Sequence, residues 1–238
     1  MNRMSASCVA EAVGTFFLCF IGAGVICMNT KLGAGGPGLL GIAIAHGLAL
    51  SIGVSATMNV SGGHLNPAVT VAMLVTGRIK PGDAIGYIAS QLIGGIVAGA
   101  LLSIIFKDMM VDGVAVISRA GLGTPTYGAD LTVARAILVE ACLTFLLVTA
   151  VFGTAVDPRA PKIGGFGIGL TIAADILMGG PLTGAAMNPA RTFGPGLVAS
   201  FTGHLNVFWS QQLVYWVGPC AGAVLAAVVY DAFIREKK

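Results

Sequence analysis

Two boxes in the chain put an amide side chain, a proline and a small residue into apolar surroundings. They are Asn66-Pro67-Ala68 within SGGHLNPAVT and Asn188-Pro189-Ala190 within TGAAMNPART. Asn is a favoured helix N-cap and Pro is favoured at the first helical position, so each box predicts a helix that starts there. A helix start aims the positive end of its dipole at whatever precedes it. Arg191 follows Asn188 by three residues and adds a permanent cation. Glu11 and Glu140 stand in otherwise apolar runs, where a carboxylate needs partners, and backbone N–H groups of irregular segments are the expected ones. This is chemistry for orienting and selecting a polar solute. Nucleotide-binding motifs, a catalytic triad and a carboxylate pair suited to catalysis are not visible, so neither an enzyme nor a cofactor is expected. The five cysteines (Cys8, Cys19, Cys27, Cys142 and Cys220) have no metal-ligand spacing and read as free thiols, so no metal is expected. The net charge of +3 comes with no basic cluster of the kind that binds nucleic acid.

The elements that must position these residues lie in a bilayer. Hydrophobic residues make up 56% of the 238 and charged residues only 10%, against about 25% charged in soluble domains. A crossing needs about 20 mostly apolar residues. Six runs qualify, roughly 7–28, 39–60, 84–106, 132–154, 163–180 and 207–233. The first carries Glu11 and lacks a convincing cleavage site, which argues against a cleaved signal peptide. Two shorter pieces, about 66–75 and 188–198, follow the Asn-Pro boxes; ten residues make about 15 Å of helix, half a bilayer. With both termini on one side, that side carries Arg3, Arg78, Lys80, Arg159, Lys162, Arg235, Lys237 and Lys238. The other side has Lys31, Lys107, Arg119 and Arg135. The imbalance predicts cytoplasmic termini.

The chain also repeats itself. The run around Glu11 answers the run around Glu140, the two Asn-Pro-Ala boxes answer each other, and Gln91-Leu-Ile-Gly-Gly is aligned with Tyr215-Trp-Val-Gly-Pro. A single domain, 1–238, therefore consists of halves of about 1–115 and 116–238, each reading span, span, half-span, span. Three crossings per half is an odd number, so the second half is inverted. Inverted repeats with broken helices at matching positions point to a site near the midplane. The half-helices then enter from opposite faces and meet tip to tip. The irregular backbone ahead of each is tolerable at that depth only in protein or beside a wet cavity.

With these residues in place, the chain resembles the aquaporins, of the major intrinsic protein family. The likeness covers nearly the whole length and is carried by both boxes, by SGGHLNPAVT and MNPARTFGP, by the Glu of the first span in each half, and by YWVGPCAG. It implies an all-α membrane fold, a right-handed bundle of six tilted helices plus two reentrant half-helices, and a homotetramer with one pore per subunit. It implies a selectivity filter of His46, Ile176, Ala185 and Arg191, similar to that of the plant tonoplast members. His46 would offer a donor or acceptor opposite Arg191 and set the width, Ile176 an apolar wall, and Ala185 room. Carbonyls of Gly62, Gly63 and His64 would line one half of the path, and those of Gly184, Ala185 and Ala186 the other. Asn66 and Asn188 would donate to a water at the midpoint, reversing the polarity of the water file and blocking proton relay. Glu11 and Glu140 would support the reentrant loops.

The implied activity is passive conduction of water across the lipid bilayer, excluding protons and ions. Small neutral solutes such as ammonia or hydrogen peroxide are a possible addition. A glycerol facilitator is the alternative, but relatives of that kind have Asp after the filter Arg and Pro-Leu in the last span, where this chain has Thr192 and Tyr215-Trp216. A secondary transporter or a closed-pore structural protein are further alternatives. Ammonia-conducting members carry an extra His in the third loop; here Tyr127 corresponds, which argues against strong ammonia conduction, although its phenol can still face the vestibule. Asp175, beside Ile176, is commonly Asn in tonoplast relatives. It is expected to turn toward the outer loops, either accepting hydrogen bonds from loop backbone or tempering Arg191. The cell membrane is expected ahead of the vacuolar membrane.

Overall fold

The computed structural model describes residues 3–235. Lys237 and Lys238, counted above for orientation, lie outside the described residues. Among those described, six helices are long and apolar enough to cross a membrane. They are α1 (Arg3–Leu32), α2 (Gly38–Ser61), α4 (Pro81–Ile105), α6 (Val133–Val151), α7 (Phe166–Thr183) and α9 (Phe208–Val229). The two half-helices are α3 (Pro67–Val75) and α8 (Pro189–Phe201), and α5 (Val116–Arg119) is a single turn. Each expected run is thus a helix; α1, α2 and α4 are longer than their runs, α6 and α9 are shorter, and α7 is shifted toward the second box. The second half-helix has thirteen residues against nine in the first.

The element absent from the sequence reading is a hairpin in the long outer loop, β1 (Met110–Val111) and β2 (Val114–Ala115), paired antiparallel. Its turn is Asp112-Gly113, both at positive φ (48° and 74°). Asp-Gly is the favoured pair for a two-residue turn of this kind, so the signal was present in the letters.

The repeat is visible in the packing. α1 packs chiefly against α2 and α4, α6 against α7 and α9, and the α2–α7 contact joins the halves. The third spans match one helical turn away from the alignment of Gln91 with Tyr215. Tyr87 Oη donates to Ser61 O (2.8 Å), as Tyr215 Oη donates to Thr183 O (2.7 Å). A Cβ built on Gly94 would meet Ala12 O, and one on Gly222 would meet Ala141 O. Tyr87 therefore answers Tyr215 and Gly94 answers Gly222, which leaves Gln91 opposite Pro219. Two facing glycines, Gly95 and Gly194, bring α4 and α8 into backbone contact, the use of small residues expected between helices in lipid.

Basic residues gather at the two ends of the bundle. Arg3, Arg78 and Lys80 line one cavity at the inner end, and Arg78 reaches Asp231 through two bonds (2.7 and 2.8 Å). Its guanidinium lies 4.9 Å from the Phe152 ring centroid. Nearby, Asp157 accepts from the Arg159 guanidinium (2.8 Å) and from Tyr230 Oη (3.2 Å). The side-chain and backbone bonds from Arg159 hold the Asp157 carboxyl well below the usual carboxylate range. A depressed pKa contributes stability above the unfolded value, and that contribution is lost only as pH falls toward the folded one. This clasp therefore persists through neutral and mildly acid conditions. At the outer end, Lys31 donates to Met110 O and Arg119 pairs with Asp112.

Candidate functional site

Both reentrant loops begin where a membrane helix stops on a left-handed glycine, Gly62 (φ 91°) after α2 and Gly184 (φ 75°) after α7. Positive φ then recurs at Gly63, Leu65, Ala185 and Met187. Non-glycine residues pay for that conformation, and here buried carboxylates enforce it. Glu11, fully buried, accepts from Ser61 Oγ (2.6 Å), His64 N (2.9 Å), Leu65 N (2.6 Å) and Gln91 Nε2 (2.7 Å). Glu140, also fully buried, accepts from Thr183 Oγ1 (2.6 Å), Ala186 N (3.0 Å) and Met187 N (2.7 Å). In a planar trans peptide, C=O and N–H point in opposite directions. With the N–H groups of His64 and Leu65 turned to Glu11, the carbonyls of Gly63 and His64 point away from it. The same holds for Ala185 and Ala186 relative to Glu140. Gly63 N and Ala185 N are drawn to Ser61 Oγ and Thr183 Oγ1, which turns the Gly62 and Gly184 carbonyls likewise.

The two boxes meet at the centre. Asn66 Oδ1 caps α3 at Ala68 N (2.8 Å), and Asn188 Oδ1 caps α8 at Ala190 N (3.0 Å) and Arg191 N (3.2 Å). Their amide groups then cross: Asn66 Nδ2 donates to Met187 O (2.8 Å) and Asn188 Nδ2 donates to Leu65 O (2.9 Å). Each NH2 has two hydrogens, so one of each is left over. Both side chains line a central cavity with about 10 Å³ of free space, room for about one water. Gly63, His64 and the two asparagines form its polar side. Its other residues, among them Leu18, Leu50, Val54, Leu147 and Ile172, are apolar.

His64 stands at the inner entrance, lining both the central cavity and the inner vestibule. Its Nδ1 lies 3.1 Å from Thr70 Oγ1, and its ring meets Tyr87 edge-on at 5.2 Å. Thr70 Oγ1 gives its own proton to Asn66 O and accepts from Gln91 Nε2 (3.0 Å), so His64 Nδ1 acts as a donor to it.

At the outer end, His46, Ile176, Ala185 and Arg191 are each at most 5% exposed. His46 stands beside Arg191. The two are bonded, Arg191 Nη2 to His46 Nε2 at 3.2 Å. Since His46 Nδ1 contacts Ile42 O (2.8 Å), a pure acceptor, the proton sits on Nδ1 and Nε2 accepts from Arg191. Arg191 Nη2 also donates to Gly123 O (2.9 Å), while Nε and Nη1 have no protein partner. Gly123 was missed in the sequence. It sits at φ 69° with Ala23 backbone where a Cβ would stand, so α1 presses the outer loop, and its carbonyl, onto Arg191. The Gly-Leu-Gly run at 121–123 was the one hint.

The outer vestibule is lined by His46, Ile176 and Gly184 with Thr124, Pro125 and Thr126. Tyr127 is not among its lining residues. Its backbone is latched to Gln211 instead, Tyr127 N donating to Gln211 Oε1 (3.1 Å) and Gln211 Nε2 to Tyr127 O (2.9 Å). Asp175 also departs from expectation: it is 3% exposed, and among the described residues its Oδ2 has no partner and no loop N–H bonds to it.

These features agree with the comparisons. A model described as major intrinsic protein matches residues 2–230. Aquaporin TIP4-4 of Zea mays is 42% identical, covering 98% of this chain and 89% of the relative. Aquaporin AqpM of Methanothermobacter thermautotrophicus is 37% identical over 99% of this chain and 100% of the relative. The aquaglyceroporin of Plasmodium falciparum superposes with a TM-score of 0.84 over 97% of both chains; at 23% identity this speaks for the fold alone. The chain belongs to the major intrinsic protein family.

Proposed function

We propose that the chain is a passive water channel, with Asn66 and Asn188 at the midpoint and His46, Ile176, Ala185 and Arg191 as the outer filter. The observation that carries this reading is the crossed pair of amide bonds at a cavity sized for one water. Each asparagine has one N–H fixed and one free, on a wall otherwise made of turned carbonyls. A water at that point gives its oxygen to the amides and sends its hydrogens outward to the two rows. Two opposed helix starts add positive potential where a cation or a relayed proton would pass. Arg191, with two unpartnered N–H bearing nitrogens, donates to the solute one step further out.

The family is one of channels, and the chain is an integral membrane protein and no enzyme. Water is the solute this reading commits to. The termini belong on the cytoplasmic side by the distribution of Lys and Arg. The TIP-type relatives do not favour the cell membrane over an internal one. A homotetramer, one pore per subunit, is part of the reading and rests on the likeness to the family. The test is stopped-flow light scattering on proteoliposomes. Fast osmotic shrinkage with a low activation energy is expected; shrinkage at the lipid rate would refute a conducting channel.

A further inference from the structure

The outer constriction includes a contact from a helix that contributes no filter residue. α1 passes the His46 ring at Gly22, which is buried. A Cβ built there would fall on His46 Nε2 and lie 2.6 Å from Cδ2 and 3.1 Å from Cε1. Side-chain atoms do not approach a Cβ that closely, so the ring occupies the space a side chain would take. It is held in that seat from both ends. Nδ1 is tied to Ile42 O of its own helix (2.8 Å), and Nε2 accepts from Arg191 Nη2 (3.2 Å). With α1 behind it, Ile42 beside it and Arg191 at its tip, the open direction left to the ring is the outer vestibule, whose wall it shares with Ile176 and Gly184.

We infer that Gly22 is a specificity-determining position of the channel. By lacking a side chain it seats His46 against α1, and this sets both the width of the outer constriction and the acceptor that fixes Arg191. Any side chain at residue 22 drives the imidazole into the path. It also takes Nε2 away from Arg191, which then keeps only the Gly123 carbonyl. His46 is thus a plug whose position is decided by a residue on another helix. The filter width follows from the pair, and not from His46 alone.

The inference rests on the water-channel reading, and the experiment separates the two. Wild type, Gly22→Ala, His46→Ala and Gly22→Ala/His46→Ala are reconstituted, quantified per channel, and measured for osmotic water permeability and urea flux. Gly22→Ala is expected to lower water permeability several-fold. In the His46→Ala background, which removes the ring, the same substitution is expected to change neither flux. Lack of fast water flux in wild type would overturn the channel reading itself. An unchanged Gly22→Ala would overturn only the inference, as would a loss of the same factor with and without the ring, which would mark general packing. Should Gly22→Ala fail to fold, the double variant decides: recovery of a monodisperse, conducting protein upholds the steric pair, and continued failure refutes it.

Discussion

The two carboxylates that turn the two loops are not served alike. Glu11 has four donors and Glu140 three. The difference is Gln91, which also donates to Thr70 Oγ1 and whose counterpart, by the Tyr87–Tyr215 match, is Pro219. The partner of Thr70 in the second half, Thr192, has a buried hydroxyl with no partner. The first half thus ties its loop, half-helix and third span into one network, while the second leaves that network open. The second half carries the discriminating cation: three residues beyond Asn66 stands Val69, three beyond Asn188 stands Arg191. The helix that holds Arg191 takes its extra anchorage from the loop at Gly123 and, across the halves, from His46 of α2. One half is built as a support and the other as a selector.

The largest effect comes from erasing that difference. Arg191→Val makes the second half-helix start like the first, with an apolar residue at the same step. Flux of urea and glycerol is then expected to rise well above wild type, and protons are expected to leak, because the outer donors and the fixed charge are gone. Water permeability persists, since the asparagine pair is untouched. Unchanged urea, glycerol and proton fluxes in that variant would remove Arg191 from the filter.

Next in size is the contrast between the two glutamates. In a glutamine one terminal atom no longer accepts. At Glu11 each oxygen serves one backbone N–H and one side-chain donor, so Glu11→Gln strands a backbone N–H whichever way the amide is turned and also forces Ser61 Oγ or the Gln91 amide to turn round. At Glu140 the amide nitrogen can take the side of Met187 N, stranding one. Each stranded buried donor costs about 1–3 kcal/mol. Glu11→Gln is therefore expected to be the more destabilising of the two, because it disturbs Ser61 or Gln91 as well, read as a larger fall in thermal unfolding midpoint in detergent than for Glu140→Gln. Equal falls, or the reverse order, would show that Gln91 is not a working part of the support.

The sequence disclosed one kind of information better than another. The spans, the caps and the inversion follow from hydrophobic length, from Asn-Pro, and from an odd number of crossings, all local properties. Glu11 and Glu140 were legible because a carboxylate in an apolar run must find donors. Gly22 and Gly123 were not legible, because their roles consist of what another helix or loop puts beside them. The match of Tyr87, one turn before Gln91, with Tyr215 was hidden by the Gly residues, which gave Gln91 a plausible but misplaced partner. His46 is bonded to Arg191 and lies against Gly22, and no spacing in the sequence encodes that seat.

A smaller effect is expected from mercurials. The central cavity and the vestibule at each end are lined by no cysteine. Cys19 and Cys27 are buried, Cys8 and Cys220 half-buried, and Cys142 is exposed in an apolar groove between α6 and α9. The second loop has Ala185 where a thiol would reach the path. Water permeability should change little on mercurial treatment. Strong inhibition that survives replacement of each of the five in turn would contradict this arrangement, and inhibition abolished by Cys142→Ser alone would locate the effect at the outer surface of the bundle.

The smallest effect belongs to Asp175, the residue in the selecting half that looked most capable of tuning it. It lies within α7 directly before Ile176, and a carboxylate within about 4 Å of Arg191 would matter. No such pair exists among the described residues. The guanidinium is engaged by Gly123 O and His46, and the Asp175 carboxyl is buried with Oδ2 unpartnered. On a helix, successive positions differ by about 100°, so a residue beside a filter residue faces its neighbours and not the path. Asp175→Asn keeps the shape and removes an ionisable group from a site that offers it no donor. Stability is expected to hold or rise slightly, since burying an unpaired polar group costs less than burying an unpaired charge. Water and methylamine fluxes, measured at acid and neutral pH, are expected to match wild type. A change in methylamine flux with water flux unaltered would show that Asp175 acts on the filter after all, and would make the selecting half depend on an acid as well as on its arginine.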